Sequence, residues 1–469
     1  MLRKVLAAGL LSTALAPVRA AGLPPEVEQA LQRAQVPESA LSLVLQDLDS
    51  GRQRLALQPA KPVNPASLTK LLTTFAALER LGPAWTWSTP VWLQGRLRNG
   101  VLEGSLFIKG SGDPTLVVER LWLLLRRVQQ LGVQEIQGDI VLDNSAFVVP
   151  EGSAADFDGD ATRPYNTRPA ALLFNYKAVT YTFTPDPAAG VARVGTEPAL
   201  AGTAVDPTVP LAAGPCDDWR GGLKASFGER VQFAGSYPAA CGELSWPAAD
   251  AQPATYNARL LEALWKEMGG RLGGSVREGA APADTKPSFE WRSPPLADVV
   301  RDINKFSNNP MAQQLFFTLD LQRHPGQPAT LAGARETLRR WLAERLGAPL
   351  PADWAIDNGS GLSRDTRLPA RALARLLVQA WESPLAPELM ASLPIAAVDG
   401  TLRRAQMPPG RAHLKSGSLR DVAGIAGYVV AQSGRRWVLV AVLNHPNANA
   451  ARPALDALVH WVARDAPAR

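Results

Sequence analysis

Apolar and polar residues alternate along Leu41-Ser42-Leu43-Val44-Leu45, break at Asp49-Ser50-Gly51 and resume over 52–57, which predicts a β-hairpin. Leu68, Leu71, Leu72, Phe75 and Leu78 then recur at helical spacing, so Asn64-Pro65-Ala66-Ser67 is a loop leading into a helix that Ser67 opens and Gly82 ends. Beyond Trp87 the pattern shortens. Strands flank Asn99-Gly100, a strong hairpin turn, and a helix over about 116–131 and a strand over 136–142 follow. Residues 179–246 are short-stranded and rich in Gly and Pro, 257–272 are helical, and 278–287 have the composition of a linker. Helical periodicity dominates to about Ser392, and the chain closes with a hairpin (424–430 and 436–442, around Ser433-Gly434) and a helix over 453–463. Hairpin plus helix at both ends predicts that the termini build one shared sheet domain, from 22–86 and 288–469. Residues 87–287 are then a large insertion, with a small β-rich domain nested near 178–250. No solenoid-type repeat is present.

Length supports this division, because 469 residues exceed one hydrophobic core and suggest about three domains. The first residues read as a cleaved export signal over 1–20: Arg3 and Lys4, an uncharged apolar run too short to span a bilayer, then Val18-Arg19-Ala20. The expected location is therefore the periplasm. No later apolar run is long enough for a transmembrane helix. Cys216 and Cys241 read as a disulfide closing one local loop in an oxidising compartment. The net charge of +6 includes Arg3, Lys4 and Arg19, so the processed chain would carry +3. That mild excess suits contact with an anionic wall or membrane surface. Without a dense Lys/Arg run and interleaved aromatics it argues against nucleic acid as a partner.

The chemistry enters at Ser67. A nucleophilic serine needs a base, and Lys70 lies one helical turn on, on the same face. A lysine serves as base only after losing its proton to desolvation or to a nearby positive charge. Lys415, in Lys415-Ser416-Gly417-Ser418 just before the final hairpin, is such a charge. Gly417 allows close backbone approach, and Lys415 and Ser416 can hold a substrate carboxylate. Between these elements lies Ser307-Asn308-Asn309, where Ser307 can pass a proton and Asn309 can bond a peptide amide. Each fragment alone is weak evidence, since a serine three residues before a lysine is usually plain surface polarity. Yet the chain holds one Ser-x-x-Lys, one Ser-x-Asn and one Lys-[Ser/Thr]-Gly, in the order found in β-lactamases and penicillin-binding proteins.

On these residues the chain resembles the D-alanyl-D-alanine carboxypeptidase/endopeptidase family, the low-molecular-mass class C penicillin-binding proteins. Gly110-Ser111-Gly112-Asp113-Pro114, Gly138 to Asp143, Asp357 to Arg364 and Asp399-Gly400-Thr401-Leu402 resemble further blocks of that family. The long gap between the first and second motifs is similar to the family's, in which two further domains are inserted there. Two positions depart: Lys-Ser-Gly replaces the usual Lys-Thr-Gly, keeping the hydroxyl, and Ser-Asn-Asn replaces Ser-Asp-Asn at a non-reacting position. The resemblance implies an α/β (α+β) fold, a serine β-lactamase/transpeptidase-like catalytic domain whose antiparallel sheet carries helices on both faces. It also implies an acyl-enzyme on Ser67, an oxyanion held by the N–H groups of Ser67 and Ser418, peptidoglycan peptides as substrates and β-lactams as covalent inhibitors. No metal or organic cofactor is expected. Asp160, Tyr165, Arg364 and Thr401 fall where the family places groups around the far end of the peptide. Asp160 would meet an amino group and Arg364 a carboxylate, as on a diaminopimelate side chain.

Two alternative readings fit these residues less well. A β-lactamase would need a deacylating group, and no Glu-x-x-Leu-Asn follows the second motif. A non-catalytic wall-peptide or β-lactam binder has no need of Ser67, Lys70, Ser307, Asn309 and Lys415 together. No Gly-x-Ser-x-Gly, triad context for the four histidines or His-Glu-x-x-His supports a Ser-His-Asp or zinc hydrolase.

Overall fold

The computed structural model describes residues 22–466, so the expected export signal over 1–20 lies outside the described residues. Five antiparallel strands form the central sheet: β1 (Leu41–Asp47), β2 (Gln53–Leu57), β3 (Ala412–Leu419), β4 (Val422–Val430) and β5 (Arg436–Asn444), in the order β2-β1-β5-β4-β3. β1 pairs with β5 from Leu41↔Leu443 to Asp47↔Trp437, so the two ends of the chain do share one sheet. β5 is an almost unbroken apolar run because both of its faces are covered. Val438, Val440 and Val442 pack into one core, with the helices Lys70–Leu81, Asn309–Arg323 and Ala370–Glu382. Leu439, Ala441 and Leu443 pack into the other, against the terminal helices Pro25–Arg33 and Arg452–Ala463.

The inserted region has its own core and sheets. Ser88–Arg98 and Val101–Lys109 form the expected hairpin at Asn99-Gly100. The expected strand over 136–142 is broken instead, into Glu135–Ile136 and Ile140–Asp143. At Gly138 between them a Cβ would lie 2.7 Å from the Gly104 carbonyl oxygen of the neighbouring strand. The helix expected over 257–272 is Tyr256–Glu267. Gly269-Gly270 stops it, with Gly269 at φ +80°, and Arg271–Leu272 becomes a strand. Phe289–Arg292 pairs with Ser88–Val91 of the inserted sheet, so that sheet reaches past residue 288, where the return to the first domain was expected. Residues 178–249 hold a five-stranded and a three-stranded sheet around a cluster of aromatic rings that includes Phe183, Phe233 and Tyr237. A Cys216–Cys241 disulfide closes one loop there. Among the described residues no helix is long and apolar enough to cross a membrane.

Candidate active site

The turn that carries Ser67 is tighter than the sequence pattern predicts. Ala66–Thr69 is a 3₁₀ turn, and the α-helix begins only at Lys70. Two glycines let other backbone close on this turn. A Cβ on Gly417 of β3 would lie 2.8 Å from the Pro65 carbonyl oxygen, and one on Gly361 would collide with that of Ala66. Asn64 fixes the approach, its Oδ1 accepting the Ala66 N–H at 2.9 Å and its Nδ2 donating to the Ser363 carbonyl at 2.9 Å.

Lys70 is fully buried. Its Nζ lies 3.1 Å from Ser67 Oγ, 2.5 Å from Asn309 Oδ1 and 2.6 Å from the Ser360 carbonyl oxygen. Burial, then the charge of Lys415, drive its proton affinity well below the usual lysine range. Lys415 is buried too, donating to Ser307 Oγ at 2.9 Å and to the Ser416 carbonyl at 2.7 Å, and burial lowers it to about 7. The structure thus brings all three motifs together. Lys70 Nζ sits between the Ser67 hydroxyl on one side and Asn309 Oδ1 and the Ser360 carbonyl on the other.

Local folding explains the second motif. Ser307 ends the helix Leu296–Phe306 in the left-handed conformation (φ 56°, ψ 37°), which turns the chain back toward Lys415. Asn308 caps the next helix, its Oδ1 accepting the Met311 N–H at 3.0 Å, so the middle position is structural. Asn309 then faces Lys70 from the first turn, and its Nδ2 reaches the Tyr165 carbonyl at 3.4 Å. One turn further, Gln314 ties the insertion to this helix through Ala170 and the Gly112 carbonyl.

A cavity of about 450 Å³ opens on Ser67 and Ser307 and runs along Ser416, Gly417 and Ser418. Thr401 borders it, 2.6 Å from Ser416 Oγ through its own Oγ1. The other three recognition candidates lie elsewhere, on a loop of the insertion and its neighbour. Arg364 stands 4.9 Å from the Phe157 ring and pairs with Asp421 at 2.9 Å. Asp160 pairs with Arg163 at 2.7 Å, and both side chains are exposed. Tyr165 offers the site its carbonyl, while its hydroxyl bonds Asp158 and Arg163. Sequence reasoning missed the Ser360 carbonyl, although it lies in the quoted 357–364 block. It also missed the Lys305–Asp399 ion pair (2.6 Å), which joins the Ser307 helix to the Thr401 turn, because nothing in either residue's local pattern announces it.

Residues 23–465 match the model of the D-Ala-D-Ala carboxypeptidase 3 (S13) family. The chain belongs to that family. It is 28% identical over 426 residues to the D-alanyl-D-alanine carboxypeptidase of Actinomadura sp. (strain R39), covering 85% of this chain and 76% of that protein. It is 25% identical over 398 residues to D-alanyl-D-alanine carboxypeptidase DacB of Haemophilus influenzae, covering 81% and 80%. Among solved structures, penicillin binding protein 4 of H. influenzae superposes with a TM-score of 0.75 at 22% identity, over 92% of this chain and 99% of that one. A predatory endopeptidase from Bdellovibrio bacteriovorus superposes at 0.53 and 16% identity, over 90% and 92%. This S13 member therefore has the penicillin-binding fold expected from its motifs and is a serine peptidase.

Proposed function

We propose that the chain cuts D-Ala-D-Ala and equivalent cross-link bonds in peptidoglycan peptides through an acyl-enzyme on Ser67. The observation that carries this is Lys70, fully buried, without a carboxylate partner among the described residues, and 3.1 Å from Ser67 Oγ. Neutral Lys70 takes the Ser67 proton as Oγ attacks the carbonyl of the penultimate D-alanine. The N–H groups of Ser67 and Ser418 hold the oxyanion. Ser307, kept in place by Lys415, relays that proton from Lys70 to the leaving nitrogen as the C–N bond breaks. Lys70, neutral again, takes a proton from the water that attacks the ester and passes it to Ser67 Oγ as the acyl bond breaks.

Asn309 holds Lys70 and the peptide amide, and Thr401 with Ser416 borders the side taken by the leaving group. Arg364, Asp160 and Tyr165 border the acyl side, Asp160 facing an amino group and Arg364 a carboxylate. The exposed Arg364–Asp421 pair is weak enough for a ligand to displace. The same site reacts with β-lactams, as suggested by the β-lactam complex of the H. influenzae protein. Export to the periplasm follows from the leader pattern, and contact with an anionic wall or membrane surface from the mild positive charge. The catalytic domain comprises 22–86 and 288–469 apart from the strand Phe289–Arg292. Residues 87–287 form the insertion, with 178–250 nested in it.

Fluorescent penicillin labelling, run beside D-alanine release from a wall peptide, tests the reading. Wild type should label and release D-alanine, and Ser67→Ala should do neither. Rapid penicillin hydrolysis without D-alanine release would favour a β-lactamase, and stable labelling with no turnover a binding protein.

A further inference from the structure

The helix that begins at Lys70 leads away from the active site. At its far end a second cavity, of about 560 Å³, opens between the helices Lys70–Leu81, Asn309–Arg323 and Leu331–Leu346. Arg80, which lines it, follows Lys70 by almost three turns of helix, a separation of about 15 Å along the axis. The cavity over Ser67 is smaller, and the two have no lining residue in common. The mechanism makes no use of this second space.

Its floor is apolar, because Ala76, Leu319, Leu338 and the Trp341 ring are all buried there. The Trp341 indole is held in place, donating from Nε1 to Glu79 at 2.7 Å and meeting the Phe75 ring edge-on at 5.7 Å. Half-buried Trp85 adds a second flat surface. The rim is cationic: Arg80, Arg323 and Arg340 line it against one carboxylate, Glu344. The Arg80–Glu344 pair is half exposed, so an incoming anion can displace it. Arg340 has only a 3.6 Å contact with Glu336 on the exposed side of its own helix. Arg323 has no carboxylate partner among the described residues, and its guanidinium makes a single long contact, 3.5 Å to Thr337 Oγ1. The nearby carboxylate of Asp320 is buried and spent on His324, the Thr330 N–H and Thr337.

We propose that this cavity is a second binding site, for carboxylate-bearing stems of wall peptides, and that it holds the enzyme on the network it cuts. The choice of ligand rests on the peptidase reading above. Such stems combine alanine methyl groups with free carboxylates, which match an apolar floor under a cationic rim. The planar fork of a guanidinium suits a carboxylate, and the volume is that of a site for a short peptide or similar small ligand. A second contact with one polymer raises the local concentration of its other stems at Ser67.

Calorimetric titration tests this on the full chain after acylation by penicillin G, which closes the catalytic site. The probe is an L-Ala-D-Glu-diaminopimelate-D-Ala tetrapeptide. Acylated wild type should still bind it. Amidating the carboxylates of the probe, or changing Arg323→Ala, should each weaken binding about 10-fold or more, the range for hydrogen bonds to a charged group. Penicillin should label Arg323→Ala at the wild-type rate, which shows a folded variant with its active site intact. That variant should release D-alanine more slowly from intact wall material, and at the wild-type rate from a soluble peptide. No binding to acylated wild type, or undiminished binding by Arg323→Ala, would overturn the site while leaving the peptidase intact. Inorganic phosphate binding as tightly as the peptide would overturn the assignment of the ligand. A wild-type chain that neither labels nor releases D-alanine would remove both readings together.

Discussion

Lys70 and Lys415 are both fully buried, and neither has a carboxylate partner among the described residues. Their neighbours are hydroxyls, an amide oxygen and backbone carbonyls, which orient an ammonium but add no opposite charge. Desolvation therefore dominates at both, and Lys415's charge depresses Lys70 further. Removing that charge should raise the Lys70 proton affinity. The acid limb of penicillin acylation, followed as labelling rate against pH, should move to higher pH in Lys415→Ala. An unmoved limb would mean that Lys70 is neutralised by burial alone.

Lys415 also leaves a mark on stability. Its proton affinity falls from the usual lysine value near 10.5 to about 7 in the folded state. Between those values the unfolded chain holds a proton that the folded chain does not. Its contribution is fully present above 10.5 and is lost as pH falls to about 7. Urea denaturation from pH 7 to 10 should show Lys415→Met gaining stability relative to wild type as pH drops. A difference independent of pH would contradict the depressed value.

Gly361 carries φ +78° and has the Ala66 carbonyl where a Cβ would go. Gly361→Ala must strain its own backbone and push back the turn that holds Ser67. A shift of even about 1 Å in a reacting group can cost 100-fold. The acylation rate should fall by about 10- to 100-fold, with far-ultraviolet circular dichroism unchanged. Unaltered acylation would mean that the turn yields without moving Ser67.

The three motifs that the structure brings together were legible because acyl transfer demands particular residue types, and the order Ser67, Ser307, Lys415 survives any insertion between them. The shared terminal sheet was legible because β1 and β5 carry strong periodic signals. β3 was not, since His413, Lys415, Ser416, Gly417 and Ser418 make a poor strand by composition. It is held there by pairing with β4 and by close packing on the nucleophile's turn.

Lys305 and Asp399 make the last case. Lys305, nearly inaccessible, precedes Ser307 by two residues, and Asp399 precedes Thr401 by two. Their 2.6 Å pair therefore joins the helix that leads into Ser307 to the turn that carries Thr401. Asp399 also accepts the Ile395 N–H at 2.7 Å, which fixes the start of its turn. Removing the carboxylate leaves a buried ammonium without its counter-charge. That costs about 3–5 kcal/mol for a fully buried pair, and less here because Asp399 is one-third exposed to solvent. We expect about 2 kcal/mol for Asp399→Ala by urea denaturation, on that discount. Lys305→Met, which leaves only the more exposed carboxylate unpaired, should cost less. The double variant should be more stable than the sum of the single losses predicts, because no charge is then stranded. Activity should not follow stability. With the link between the two elements gone, the double variant should still release D-alanine at least about 10-fold more slowly, the size expected for a lost positioning contact. Additive stability losses, or full activity in the double variant, would show that the pair neither couples nor positions these two sides of the site.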